Sequence, residues 1–361
     1  MIKKIIKLLL VIIAFVLLVA IGYLGYVVIS YDRIDDKVVL EVEGNDNTEK
    51  TQVELNHTYT IVTQNIGFGA YDRDFTFFMD GGKESWAESK ESVIKLVGEA
   101  ADEVNSFNPD FMFIQEVDLD STRSYHVNQY DLLKEKFASF SSVMANNYHS
   151  AFLMYPFYQP HGASNSSLVT FSSFKITSSL RRSLPISTSF SKFLDLDRCY
   201  SVTRIPVENG KELVLYNVHL SAYGGSDEIR RAQTTMLFSD MQAEYEKGNY
   251  CVCGGDFNHD FTGDSTQKLN GGEQTDFGWA QPFPMEIFSE YTGLTRVTCY
   301  NNDEINPTCR NCDVPYVEGN EVFIVDGFLV SNNVEVTYLE NVVTGFTYSD
   351  HNPVVMKFIL K

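Results

Sequence analysis

The segment Tyr250-Cys251-Val252-Cys253-Gly254-Gly255-Asp256-Phe257-Asn258 decides the fold. Strand-forming residues run into two glycines, and the next polar groups are a carboxylate and an amide. Taken alone, an Asp or Asn after a strand is ordinarily a turn residue. Here the arrangement recurs. The strand expected at 58–64 ends on Asn65, and the buried strand at 111–114 ends on Gln115-Glu116-Val117-Asp118. The strand at 213–218 carries Asn217 and ends on His219-Leu220, and Ser349-Asp350-His351-Asn352-Pro353 precedes the last strand at 354–360. A lone histidine ending an apolar strand is ordinarily a satisfied core residue. Together, these five strand ends supply carboxylate and amide oxygens suited to a hard cation, with two imidazoles beside them.

Between the strands lie two helices. Val93, Val97, Ala100, Ala101 and Val104 recur at helical spacing before Asn108-Pro109 breaks the pattern. The second starts at Ser226, with Asp227 and Glu228 in its first turn, presents Ile229, Met236, Leu237 and Met241, and stops at Gly248. Further strands are expected at 168–171, 199–205, 322–328 and 334–339. Many strands and few helices in mixed order predict two packed sheets flanked by helices.

In order and content these motifs resemble the endonuclease/exonuclease/phosphatase superfamily, over roughly residues 59–360. Gly255-Asp256-Phe257-Asn258 and Ser349-Asp350-His351 are the most specific pieces, Gln115-Glu116-Val117 is next, and Asn65 and Asn217-Val218-His219-Leu220 complete the pattern. The resemblance implies an α+β, four-layer αββα sandwich with these strand ends on one edge. It makes Glu116 the principal ligand of Mg2+, with Mn2+ or another divalent cation as substitutes, and Asn65 and Asp350 contributors to the same or a neighbouring site. Asp256 and Asn258 would flank the attacking water. His351 would be general base or phosphate clamp, oriented by Asp326 of Ile324-Val325-Asp326-Gly327-Phe328, and His219 would bind or protonate phosphoryl oxygens. Asn165, in the stretch from His161 to Ser167, is a candidate phosphate contact or a plain turn residue. One departure stands out: many relatives carry Ser-Arg-Tyr-Pro-Ile where this chain has Ser173-Phe174-Lys175-Ile176, so an arginine is absent. Arg123, Arg181, Arg182 and Arg198 are the candidate replacements, each with a solvated surface role as its alternative.

Outside the motifs, residues 8–30 form an apolar run without an ionisable acid or base, preceded by Lys3, Lys4 and Lys7 and followed by an acidic segment. At about 1.5 Å per residue such a run spans a hydrocarbon core. A cleaved signal peptide would have a shorter apolar region and a small-residue cleavage site after it. The reading is a single-pass anchor in the cell membrane, with the N-terminus cytoplasmic by the positive-inside rule and the rest extracytoplasmic. The expected divisions are 1–30 for tip and anchor, 31–57 for a stalk or short edge strand, and 58–361 for the catalytic domain. The chain has 28 Lys plus Arg against 48 Asp plus Glu among 361 residues, a net charge of -20. That balance disfavours nucleic acid as a partner without excluding it.

Six cysteines allow many pairings. A local disulfide is expected among Cys299, Cys309 and Cys312, because zinc would need a fourth ligand that is not adjacent. Cys251 and Cys253 alternate on one strand and read as a buried thiol face. The function expected is a membrane-anchored, metal-dependent phosphoesterase, monomeric, acting on a phosphodiester or phosphomonoester, with a lipid head group favoured. The alternatives are a surface-anchored nuclease and a binding module that kept the fold and lost its chemistry.

Overall fold

The computed structural model describes residues 2–190, 192–195, 197–223, 226–272, 280–298, 300 and 304–361. Two seven-stranded sheets face each other. The first runs in the order Val38–Val39, Ser178–Ser183, Cys199–Pro206, Glu212–His219, Tyr250–Asp256, Asp326–Ser331, Leu294–Val297. The second runs Val334–Asn341, Val354–Leu360, Thr58–Asn65, Phe111–Asp118, Asn165–Ser172, Ser141–His149, Val42–Glu43. Each sheet is mixed: Glu212–His219 pairs parallel with Tyr250–Asp256, and Thr58–Asn65 pairs parallel with Phe111–Asp118.

The period-two pattern of the strands explains the layering. Phe111 and Phe113 join Leu213, Leu215, Val252 and Phe328 in the core between the sheets. Met112 and Ile114, pointing the other way, lie under the helix Lys90–Ser106 with Val93, Val97 and Val104. On the opposite outer face Val214, Tyr216, Cys251 and Cys253 pack against Leu237, Phe238 and Met241 of the helix Asp227–Glu246. The two thiols are therefore the buried face the alternation predicted. Ser89 caps the first long helix through a reciprocal bond with Ser92, and Ser226 caps the second, as expected. The second helix is turned slightly from the expected face: Ile229 and Met236 are only half-buried, while Gln233, Thr234 and Phe238 are buried.

The segment expected as a stalk or short edge strand is built into the sheets. Val38 and Val39 extend one sheet, Val42 and Glu43 extend the other, and Val53 is fully buried beside Val207. The cause is alternation hidden in an acidic stretch: Leu40, Val42 and Leu55 pack on the inter-sheet core, while Asp36 and Glu43 turn outward to Arg182 and Lys134. The strand expected over 322–328 is split. Val322–Phe323 pairs with Cys309–Arg310, and Thr308 Oγ1 accepts the N–H groups of Val325 and Asp326 before Asp326–Ser331 joins the main sheet.

The N-terminal helix Ile2–Ile29 is long and apolar enough to cross a membrane. Near its end, the Tyr23 hydroxyl donates to Phe152 O (3.2 Å) and accepts from Met154 N (2.9 Å), and Tyr26 accepts from Phe152 N (3.2 Å). The loop so held is strongly apolar at its surface: Tyr155, Phe157 and Tyr158 are 65%, 80% and 70% exposed.

Candidate active site

Strand register assembles the site. Asp256 lies directly between His219 on one neighbouring strand and Asp326 on the other. In the facing sheet Asn65 lies opposite Gln115, and the pairing of Phe111–Asp118 is interrupted by a bulge between Ile114 and Val117. Glu116 occupies that bulge at φ 57°, a left-handed conformation unusual for a side chain with a Cβ. Such local strain characterises functional positions, and here it turns the Glu116 carboxylate toward the cleft. Two glycines permit the close approach. A Cβ at Gly255, φ 142°, would fall 2.1 Å from Val218 O, and one at Gly67, φ 50°, would fall 2.8 Å from Asp350 Oδ1.

Asn65 Nδ2 donates to Asp256 Oδ2 at 3.1 Å and to Glu116 Oε1 at 3.4 Å, while its Oδ1 accepts from Gly67 N. Asn65 thus spaces two carboxylates. His219 Nε2 stands 3.4 Å from Asp256 Oδ2 and 4.0 Å from Glu116 Oε1. His351 donates through Nδ1 to Asp326 Oδ2 at 2.8 Å and directs Nε2 toward Asp256 Oδ2, 3.8 Å away. Asn258 N donates to Asp256 Oδ1, and Asn258 Nδ2 is anchored on Leu220 O. Glu116, His219, Asp256, Asn258, Asp350 and His351 all line the cleft, with Asn65 and Asp326 buried behind them.

The electrostatics set these groups apart. Burial pushes the Asp256 carboxyl up to about 7, opposed by His351 and reinforced by Asp326. Burial alone would lower His351, but the Asp326 carboxylate outweighs it and holds the imidazolium well above its ordinary range. His219 is driven well below its ordinary value by burial and by Arg198, His351 and Arg123, so it is neutral. Burial also raises Glu116, and the Asp350 charge adds to the rise against Arg123 and His351. Glu116 and Asp350 are hard oxygen donors whose charges oppose each other in a buried cleft, a donor set that fits a divalent cation.

Asn165 is not brought in. Its Oδ1 accepts from Asn146, and alternation along the strand turns the next residue, Ser166, to the cleft, where Asn147 and His161 join it. Of the four candidate arginines, Arg123 and Arg198 line the cleft; Arg123 also forms a two-pronged pair with Asp118 and lies 3.8 Å over the Phe68 ring. Arg181 bonds to carbonyls of Asn146 and Asp35, and Arg182 pairs with Asp36 and Asp240. The expected disulfide is not formed: Cys309 and Cys312 are free thiols turned toward His351 and Asp350, and Cys299 lies outside the described residues. Sequence reasoning also missed Arg310, Asp80 and Tyr223, which line the cleft outside any motif. Asp80 accepts from the Tyr223 hydroxyl at 2.5 Å, and burial pushes its carboxyl up to about 7.

The sequence pattern described as the Endonuclease/Exonuclease/phosphatase family matches residues 62–351. No curated protein matches the chain by sequence. Among solved structures, the fold is similar to an endonuclease/exonuclease/phosphatase from Beutenbergia cavernae DSM 12333, with 17% identity over 84% of this chain and 72% of that one and a TM-score of 0.57. It is similar to ANGEL2, a 2',3'-cyclic phosphatase solved with adenosine-2',3'-vanadate, at 15% identity over 90% and 99% of the two chains and a TM-score of 0.53. A family protein from Leptotrichia buccalis C-1013-b matches at 14% identity over 83% and 99%, also with a TM-score of 0.53.

Proposed function

The chain belongs to the Endonuclease/Exonuclease/phosphatase family, and on that premise we propose that it is a membrane-anchored, divalent-metal-dependent phosphoesterase whose substrate is a phospholipid head group. The observation that carries the hydrolytic reading is the convergence of Asp256, the His351–Asp326 pair and neutral His219 on one cleft beside Glu116 and Asp350. Asp256, with a proton affinity near neutrality, takes the proton of the attacking water, and the Asn258 amide keeps its carboxylate aimed. His351, held as imidazolium by Asp326, stabilises the phosphoryl oxygens with Arg198, which takes the part of the arginine absent at 173–176. Glu116 and Asp350 hold the cation, Mg2+ by preference, and Asn65 positions Glu116. Bound there, the cation supplies charge neutralisation for the phosphoester.

The lipid reading is supported by the loop at 152–158. It is tied to the outer end of the apolar helix, exposes Tyr155, Phe157 and Tyr158, and returns to the cleft at His161. Aromatic side chains at that level match the interfacial belt of a bilayer with an extracytoplasmic catalytic domain. The test is magnesium-dependent release of head group from phosphatidylcholine and sphingomyelin vesicles, run beside single- and double-stranded DNA and inositol phosphates. Vesicle hydrolysis that falls in a Phe157→Ser/Tyr158→Ser variant, with a soluble short-chain ester unaffected, is expected. Preferential cleavage of DNA would replace the lipid reading with the nuclease one.

A further inference from the structure

Cys309, Asp350 and His351 converge on the cleft from two backbone segments that are themselves bonded together, with Cys312 buried beside Asp350. Cys309 forms an isolated antiparallel bridge with His351, and Arg310 N donates to Asp350 O at 3.0 Å. Cys309 Sγ is 3.5 Å from His351 Nε2, and Cys312 Sγ is 3.8 Å from Asp350 Oδ2. The ligand atoms of Cys309, Asp350 and His351 all lie within 4.8 Å of one another. Around a tetrahedral zinc ion, with Zn–S about 2.3 Å and Zn–N or Zn–O about 2.0–2.1 Å, a thiolate and its nitrogen or oxygen neighbour stand about 3.5 Å apart. The second layer is also present: Asp326 accepts the Nδ1 proton of His351, so that Nε2, once it gives up its own proton, faces Cys309 with its lone pair.

We propose that Cys309, Asp350 and His351, completed by Cys312 beside Asp350, form a zinc site that shares Asp350 with the magnesium site at Glu116, and that zinc bound there inhibits the enzyme by withdrawing Asp350 and His351. Both thiols and the Nε2–H of the His351 imidazolium give their protons to solvent as the ion binds, no electrons move, and the ligand set becomes two thiolates, one neutral imidazole and one carboxylate. The soft sulfur pair selects zinc over magnesium, whereas Glu116 and Asp350 alone select the hard ion. The site itself stands on this geometry, while the inhibition rests on the hydrolytic reading above.

Cobalt(II) titration of the whole protein in detergent tests the site without reference to activity. One equivalent should develop thiolate-to-cobalt charge-transfer bands and the intense visible bands of tetrahedral cobalt, and zinc should displace them. Cys309→Ser and Cys312→Ser should each abolish the bands, while Cys251→Ser, in the core, should keep them. A wild-type protein that gives only the weak spectrum of octahedral cobalt, or bands that persist in both serine variants, overturns the site. For the inhibition, Cys312→Ser should keep magnesium-dependent turnover and need at least about 10-fold more zinc for half-inhibition, the scale on which even the outer partners of a zinc site matter. Equal zinc sensitivity in wild type and Cys312→Ser would overturn the inhibitory role. Cobalt bands in a protein that hydrolyses no phosphoester would leave the zinc site standing and remove the hydrolytic reading.

Discussion

Nδ1 of His351 stands 2.8 Å from Oδ2 of Asp326, with both side chains almost wholly buried. That bond fixes the ring, leaves Nε2 for the cleft and keeps the imidazole charged. Its consequence is non-additivity. Asp326→Asn should lower turnover less than His351→Ala, because the ring stays but loses its orienting charge. The double variant should then be little worse than His351→Ala alone, since the pair acts as one unit. Steady-state rates of the four proteins decide it, and fully additive losses would remove the coupling.

Glu116→Gln should weaken magnesium binding with little effect on folding, because the amide keeps the shape and loses the charge a hard cation requires. Activity should recover in part at high magnesium. Calorimetric titration of magnesium into both proteins is the check; equal affinities would exclude Glu116 as a ligand.

Removal of residues 1–30 should leave a soluble domain that unfolds cooperatively, whereas removal of 1–57 should not. The second cut takes away both edge strands and fully buried Val53, whose burial alone contributes roughly 1.5–3 kcal/mol. Thermal unfolding of the two truncations separates them. A 58–361 protein as stable as the longer one would show that the 31–57 segment does not support the fold.

Glu244 carries an acid-sensitive part of the stability. Burial would raise its pKa, but bonds from Arg204 (2.8 and 3.1 Å), Lys247 (2.8 Å) and Asn249 (2.7 Å) overcome this and lower it to about 2 from an ordinary 4.5. A depressed carboxylate stabilises the fold above its unfolded pKa and loses that contribution as pH falls through the folded one. The stability difference between wild type and Glu244→Gln should therefore be constant above about pH 5.5 and shrink between about 4.5 and 2. Denaturant unfolding at a series of pH values measures it, and a difference that does not vary with pH would contradict the pairing.

The strand ends were legible because a carboxylate after an apolar run breaks the expected alternation, as Asp256 and Glu116 do. The layering followed from alternation of the Phe111-Met112-Phe113-Ile114 kind. Less could be read where local pattern and tertiary role diverge. The acidic character of 31–57 concealed Val53, whose partner Val207 lies far along the chain. Asn165 and Ser166 differ only in which face of a strand they occupy, which register decides. Cys309 and Cys312 carry a spacing that suits a local disulfide, and their placement as free thiols beside His351 and Asp350 is set by tertiary contacts that no motif records. Asp80 and Tyr223 meet across the cleft from segments far apart in the chain, so no motif records them.

The most direct test of the phosphoesterase reading is magnesium-dependent turnover of the best phosphoester by wild type, His351→Ala and Asp256→Ala, each shown to be folded by its thermal transition. Both variants should lose at least about 100-fold in rate, the scale expected for a positioned base or charge-stabilising group, with thermal transitions near that of wild type. Near-wild-type turnover in either folded variant would contradict the assignment of this cleft as the active site.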